Sequence, residues 1–354
     1  MLRTVLICVS ALALSTIGVQ AQQGPQEIRL SAKKAFKHKH SGLEVPPMLD
    51  GIARSNITAL EDDQLDTFIR FDRPDASEGI TVYIYREVGN ALPVWFDRAR
   101  WAIETRAQLY GTPRRINEKL TFTPPGRSGD AGMIAIYMPS TGAYQSTGVA
   151  LVPMGEWLVK IRYSSGTIAP DALAERIRGV LAALRWPGKL DDAPPAIPVE
   201  PCATSLPAQA RSHPAPGDGA SNLAGAMMSL PSLTGQFRAK GAPPPRWCRD
   251  DGVEPKGNVY RPDDASDRYL IALSDAGRGI SVRPDGFAGL IEPDAKPSWR
   301  IEMLDLSRIT AFASQDRLPP PSQAIEIVRS GDYVTRTSTW GKKSNIEVNA
   351  DALK

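Results

Sequence analysis

Histidine is scarce. The 354-residue chain holds three, His38, His40 and His213. A serine–histidine or cysteine–histidine enzyme needs an imidazole beside its nucleophile. Two of the three lie in a lysine-rich stretch and the third in a proline-rich one, which disfavours that chemistry. No Gly-x-Gly-x-x-Gly turn follows a strand, and no phosphate-binding loop is present. Charge of one sign is not in excess either. Lys and Arg total 42 against 39 Asp and Glu, a balance kept in both halves, so nucleic acid is a poor partner. Past residue 21 no apolar run is long enough to span a bilayer.

What is present begins with a targeting pattern. Arg3 supplies a positive start, Val5 to Val19 is an almost unbroken apolar run, and Val19-Gln20-Ala21 suits a signal peptidase. Cleavage is expected between Ala21 and Gln22. Cys8 lies too early in the apolar run, after Ile7, to suit a lipid-attachment site. Two cysteines then remain, Cys202 and Cys248. An even pair in an exported chain is expected to form a disulfide, with two free buried thiols as the alternative. The loop closed would contribute on the order of 2–4 kcal/mol by restricting the unfolded chain.

The order of patterns predicts an α+β fold. An antiparallel sheet with two packed helices forms the N-terminal domain, and a smaller mainly-β domain follows. Expected boundaries are a signal peptide at 1–21, a basic N-terminal arm at 22–39, an α+β sandwich domain at 40–187, a Pro/Ala-rich linker at 188–220 and the mainly-β domain at 221–354. Ile80 to Arg86 is β-branched and aromatic, which reads as a strand. A helix follows from about Pro93, with Leu92, Trp95, Phe96, Ala99, Ile103, Ala107 and Tyr110 inward and Gly111 as its stop. Trp157, Val159, Ile161 and Tyr163 alternate with Leu158, Lys160 and Arg162, so the first set is expected to meet a core and the second water. Leu173, Ile177, Val180, Leu181 and Leu184 make the stripe of a second helix, opened by Pro170 and closed before Pro187. The prolines of the linker favour extended, solvated chain. Asn222 to Leu230 reads as a short helix. Several strands follow, among them Ala324 to Val328 paired with Tyr333 to Trp340.

Candidate chemistry is thin. Lys33, Lys34, Lys37 and Lys39 form a basic run that suits an anionic membrane surface or an envelope protein. His38 and His40 form His-x-His, but zinc needs further ligands. Glu61, Asp62, Asp63 and Asp66 lack the spacing of a calcium loop. Arg98, Arg100 and Arg106 on the first helix read as a solvated face or, alternatively, a basic ligand face. Lys160 and Arg162 read as covering or solvent-facing groups, with anion binding as the alternative. Glu156 with Asp130 is an example of carboxylates that only the fold could pair. No catalytic residue, metal site or cofactor is assigned.

The Ile80-Thr-Val-Tyr-Ile-Tyr85 strand, the Trp157-Leu-Val-Lys-Ile-Arg162 strand and a helix ending in Leu184-Arg-Trp-Pro187 resemble the PsbP/DcrB-type α/β sandwich over residues 40–187. The resemblance implies a small, usually non-catalytic module of exported or envelope-associated accessory proteins, some of which bind partner proteins. No position matches a functional motif of that family, so no site residue is carried over. The reading is an exported, periplasmic or secreted, disulfide-bridged accessory or binding protein of the cell envelope. The alternative is a hydrolase-type enzyme whose carboxylate or Lys site forms between the domains. N-terminal sequencing of the exported protein should start at Gln22; a start far from it would refute the cleavage site.

Overall fold

The computed structural model describes residues 24–89, 91–188, 190, 192–215, 244–285, 296–342 and 345–353. The expected signal segment, the expected Ala21–Gln22 junction, Cys8 and the helix expected over Asn222–Leu230 lie outside the described residues. The architecture is mixed, with large antiparallel sheets and four helices among those residues.

The first sheet is antiparallel and has ten strands. Its main strands are β1 (Ile52–Ala59), β2 (Asp66–Asp72), β3 (Glu78–Arg86), β4 (Gly132–Met138), β5 (Ser146–Met154) and β6 (Trp157–Ser165). They lie side by side as β1-β2-β3-β6-β5-β4. β5 and β6 form a hairpin through Gly155, and β6 pairs along its whole length with β3, from Trp157 opposite Arg86 to Ser165 opposite Glu78. Helix α1 (Leu92–Glu104) follows β3, and helix α2 (Pro170–Ala183) follows β6. Each starts with proline in its first turn, where a missing N–H costs nothing. α2 ends as Leu184 turns extended, two residues before Trp186-Pro187.

The second sheet has nine strands. They include β7 (Trp247–Arg249), β8 (Val259–Pro262), β9 (Tyr269–Ala272), β10 (Gly279–Pro284), β11 (Trp299–Leu304), β12 (Arg308–Phe312), β13 (Tyr333–Ser338) and β14 (Ile346–Val348), in that spatial order. Glu200–Pro201 adds a parallel edge beside β7. The Cys202–Cys248 disulfide closes that edge, with Cα atoms 4.8 Å apart.

Three apolar clusters stack the elements into layers. The first lies between α2 and one face of the first sheet, joining Leu173, Ile177 and Leu181 to Ile80, Val82, Val159 and Ile161. The second lies on the opposite face. There α1, through Val94, Trp95, Phe96, Ala99 and Ile103, meets Val149, Leu151 and Leu158 of the first sheet and Tyr260, Leu270, Leu304 and Ile309 of the second. The third backs the second sheet with helix α3 (Pro321–Ser330), joining Ala324 to Ile271, Ile280, Val282 and Ile301. Helix α1 is therefore the middle layer, shared by both sheets.

Five expectations change here. The first helix does not run on to Gly111: it ends at Glu104, and Ala107–Tyr110 is a separate turn of helix in which Ala107 is exposed and Tyr110 buried. Lys160 and Leu158 do not face water: they are 2% and 1% exposed, because α1 and the second sheet cover that face. Residues 321–330 are a helix and not a hairpin strand. Ala324, Ile325 and Val328 recur at helical spacing, Pro321 starts the helix, and Gly331 in left-handed conformation (φ 80°) ends it. The proline-rich stretch is not solvated throughout. Val199, Leu206 and Ser212 are buried, since extended chain can run along a sheet margin without offering ladder N–H groups. The basic segment before residue 40 is not a free arm either: Phe36 and His38 are buried, while Lys33, Lys34, Lys37 and Lys39 stay exposed.

His38 is a neutral interior group. One ring nitrogen donates to the Gln64 carbonyl at 2.9 Å, and the other faces the Ser41 hydroxyl at 2.8 Å. Burial lowers its pKa to about 4, the Gln64 bond opposes this, and His40 adds to it. Nearby, hydrogen bonds from Lys39, Trp340 and His40 overcome burial and hold Asp63 down to about 2. A depressed histidine stabilises the fold fully above its unfolded value near 6.5. That contribution, about 3 kcal/mol, fades as pH falls toward 4, because the unfolded chain takes up the proton first. Urea unfolding should show this slope between pH 7 and 4, and His38→Gln should flatten it. An unchanged slope in the variant would contradict the assignment.

Candidate functional site

The second face of the first sheet changes character along its strands. Antiparallel register lays its residues in cross-strand rows. Asp66, Tyr85 and Leu158 form one row; Phe68, Tyr83 and Lys160 the next; then Arg70, Thr81 and Arg162; then Asp72, Gly79 and Ser164. The first of these rows is buried beneath α1 and the second sheet. The last two are partly exposed and form the floor of an open pocket of about 420 Å³. Arg106, Leu109, Tyr110 and Tyr144 wall one side, and Asp275 from the β9–β10 loop walls another. A Cβ at Gly79 would come within 3.2 Å of the Asp72 carboxylate, so glycine keeps the floor open.

Cations converge on this pocket. Arg70 donates to Asp72 at 2.9 Å. Among the described residues no ion pair holds Arg106 or Arg162. The Tyr110 hydroxyl meets Ser164 at 3.2 Å, and the Arg162 charge acts on it. Ser164 is fixed in turn by Thr147 at 2.8 Å. Burial raises the Tyr110 pKa, but the Arg162 charge and the polar groups beside the hydroxyl bring it below the ordinary tyrosine value. Two aromatic pairs flank the arginines. Phe68 and Tyr83 have ring centroids 6.1 Å apart, and Tyr110 and Tyr144 6.3 Å apart. The volume suits a small molecule.

Beside the pocket the two sheets are joined by charge pairs running in both directions. Lys160 Nζ lies 2.9 Å from Asp275 Oδ2, donates to the Asp275 carbonyl at 3.0 Å, and stands 4.5 Å from the Tyr83 ring centre. Burial opposes ionisation of Asp275, yet Lys160 keeps its pKa below the ordinary value. Arg278 meets Asp66 at 3.2 Å, Glu61 at 2.6 Å and Asp305 at 3.1 Å. Burial still raises Asp66. Asp97 of α1 accepts from Arg249 at 2.8 Å and from the Tyr260 hydroxyl at 3.0 Å, and burial raises its pKa against the pull of Arg249 and Arg100. Arg86 meets Glu156 at 2.8 Å and donates to the Leu306 and Thr339 carbonyls at 2.6 and 2.8 Å.

The residues singled out in the sequence separate on this geometry. Arg162 and Arg106 line the pocket. Arg98 donates to the Gly257 carbonyl and stacks over Trp101, while Arg100 serves Asp97, Glu104 and Tyr137. Glu156 and Asp130 have separate partners, Arg86 and Lys119. His40 meets Asp63 at 3.0 Å, and Glu61 and Asp66 are engaged by Arg278. Among the described residues, one cluster of potential metal ligands occurs, Cys202, Cys248 and Asp264, and its sulfurs are spent in the disulfide. Arg70, Thr81 and Tyr83 escaped the sequence reading. They sit on different strands from Arg162, and only register brings them together.

A larger cleft of about 600 Å³ opens between the start of α1 and the second sheet, beside Trp95, Trp247 and Tyr269. Its acids are occupied. Asp263 accepts from the Arg246 amide at 2.9 Å, and hydrogen bonds from Arg268 lower the pKa of Asp267. Glu87, in the apolar pocket alongside, has a pKa raised by burial. Its carboxylate accepts from the Ala91 amide, just ahead of α1, and from the Trp95 indole, so it too is engaged.

Comparison with known protein families, curated proteins and solved structures finds no match.

The Lys160–Asp275 pair makes a direct prediction. Lys160→Ala removes the partner of a mostly buried carboxylate and should cost about 3 kcal/mol in urea unfolding. Lys160→Met combined with Asp275→Asn should recover part of that loss. A loss below about 0.5 kcal/mol, the size of an ordinary surface change, would show that the pair does not hold the sheets together.

Proposed function

We propose that the protein is an exported accessory protein of the cell envelope that binds a small ligand rather than transforming it, at the pocket floored by Arg70, Thr81 and Arg162. One observation carries this reading. The interior charges described above are held in close ion pairs, whereas Arg162 and Arg106 line an open cavity with no close ion pair among the described residues, the Arg162 charge reaching Asp275 only at longer range. Cations without a close ion pair in an open site flanked by aromatic side chains suit recognition by charge and stacking. Binding needs no general base, which accords with the scarcity of histidine. The helix-backed antiparallel sheet is compatible with a PsbP/DcrB-type module, which would place the protein among envelope accessory factors. The exposed Lys33, Lys34, Lys37 and Lys39 supply a basic surface for an anionic membrane or envelope partner.

The hydrolase alternative would draw on the larger cleft, but its acids and Glu87 are tied to backbone, guanidinium or indole groups. Native mass spectrometry of protein purified from the exported fraction tests the binding reading. The expected result is a bound small molecule, below about 500 Da, that is lost in Arg162→Met and recovered chemically unchanged after incubation. No adduct on the wild type, or an adduct converted to product, would overturn it.

A further inference from the structure

The pocket carries more than a generic preference for negative charge. Arg70, Thr81 and Arg162 lie in one row across three adjacent strands, β2, β3 and β6. Neighbouring strands are roughly 4.8 Å apart, so the two arginine backbones stand about 10 Å from each other with Thr81 midway. Long side chains from both ends of such a row can meet one group above its centre. Arg70 uses one terminal nitrogen on Asp72, and no other hydrogen bond engages its guanidinium among the described residues. The Thr81 hydroxyl likewise has no hydrogen-bond partner among them. Arg106 enters from the wall. Donors on the floor and a further guanidinium at the side are what the oxygens of a carboxylate, sulfate or phosphate require.

The acids do not cancel this field. Asp72 is held by Arg70 and by the Ser55 hydroxyl at 2.8 Å, and Asp275 chiefly by Lys160 at 2.9 Å, with Arg162 contributing less and from beyond ion-pair distance. The cavity, about 420 Å³, is larger than a bare oxyanion needs, and its lining also holds four aromatic side chains and two leucines. Phe68 and Tyr83 occupy the row directly behind the arginines, and Tyr110 and Tyr144 face it from the wall. Flat apolar area next to a cationic row fits a planar or sugar ring attached to the anionic group.

We propose that this pocket binds a small ring-bearing oxyanion, with the anionic group above Thr81 between Arg70 and Arg162 and the ring against Phe68 and Tyr83. This assignment rests on the binding reading above and narrows it to a ligand class. Because Asp275 lies in the loop that joins β9 to β10, the occupied site reaches from the first sheet to a loop of the second, and a bound ligand also stabilises their junction.

Isothermal titration of the mature full-length protein with phenyl phosphate, benzoate, phenol and inorganic phosphate tests it. Phenyl phosphate or benzoate should bind at least about 10-fold more tightly than both phenol and inorganic phosphate, and more weakly as salt rises. Whichever of the two binds better identifies the headgroup. Arg162→Met and Thr81→Val should each weaken that binding by about 10-fold or more, the effect of losing a hydrogen bond to a charged group. Arg185→Met, an exposed arginine elsewhere, should leave it unchanged. Melting curves without ligand verify that the variants fold, and the two pocket substitutions guard against failure of either one. Phenol binding as tightly as benzoate, or binding unaffected by both pocket substitutions, would overturn the ligand class. So would the absence of binding by either ring-bearing anion to folded wild type. In those cases the mass-spectrometric adduct decides separately whether the broader binding reading survives.

Discussion

Helix α1 must satisfy two sheets at once, and the rest of the structure follows from that demand. Val94, Trp95, Phe96, Ala99 and Ile103 are all buried in the cluster that joins it to both. A helix with only one apolar stripe could not do this. The polar groups it carries inward then need partners. Asp97 finds Arg249 and Tyr260, and the Trp95 indole finds Glu87. Burying these groups without partners would be costly, so the charge pairs are best understood as conditions of the shared layer and not as an added source of stability.

The same layer explains the pocket. The sheet face beneath α1 runs from Leu158 and Tyr85, through Lys160 and Tyr83, to Arg162, Thr81 and Ser164. α1 and the second sheet cover the apolar end of that gradient. Lys160 sits at the boundary, its stem buried and its charge delivered to Asp275. The polar end stays open because Arg70, Thr81 and Arg162 would have to lose water to be covered. A binding site therefore arises where coverage stops, between residues fixed by the sheet below and by Asp275 at the side.

Much of the fold was legible from local signals. Alternation defined β3 and β6, and three-and-four spacing with an opening proline defined α1 and α2. The disulfide followed from having two cysteines to pair. What failed was inference from one strand to its surroundings. A period of two separates the faces of β6, but it does not say that the lysine face is wet; a second sheet supplied by residues 247–348 made it dry. In residues 321–330, Ala-Ile-Glu-Ile-Val imitates strand alternation, and the decisive information lay in the flanking Pro321 and Gly331. The site was legible only in Arg162 and Arg106. Arg70 and Thr81 join them through pairings between strands, which no local pattern encodes.

The central claim is that both sheets and α1 form one cooperative body. Hydrogen exchange followed by mass spectrometry over a series of urea concentrations tests it most directly. The account predicts that amides of β6 and of β9–β10 open with the same free energy and the same urea dependence. Exchange of β9–β10 at low urea, while β6 and α1 remain protected, would contradict it.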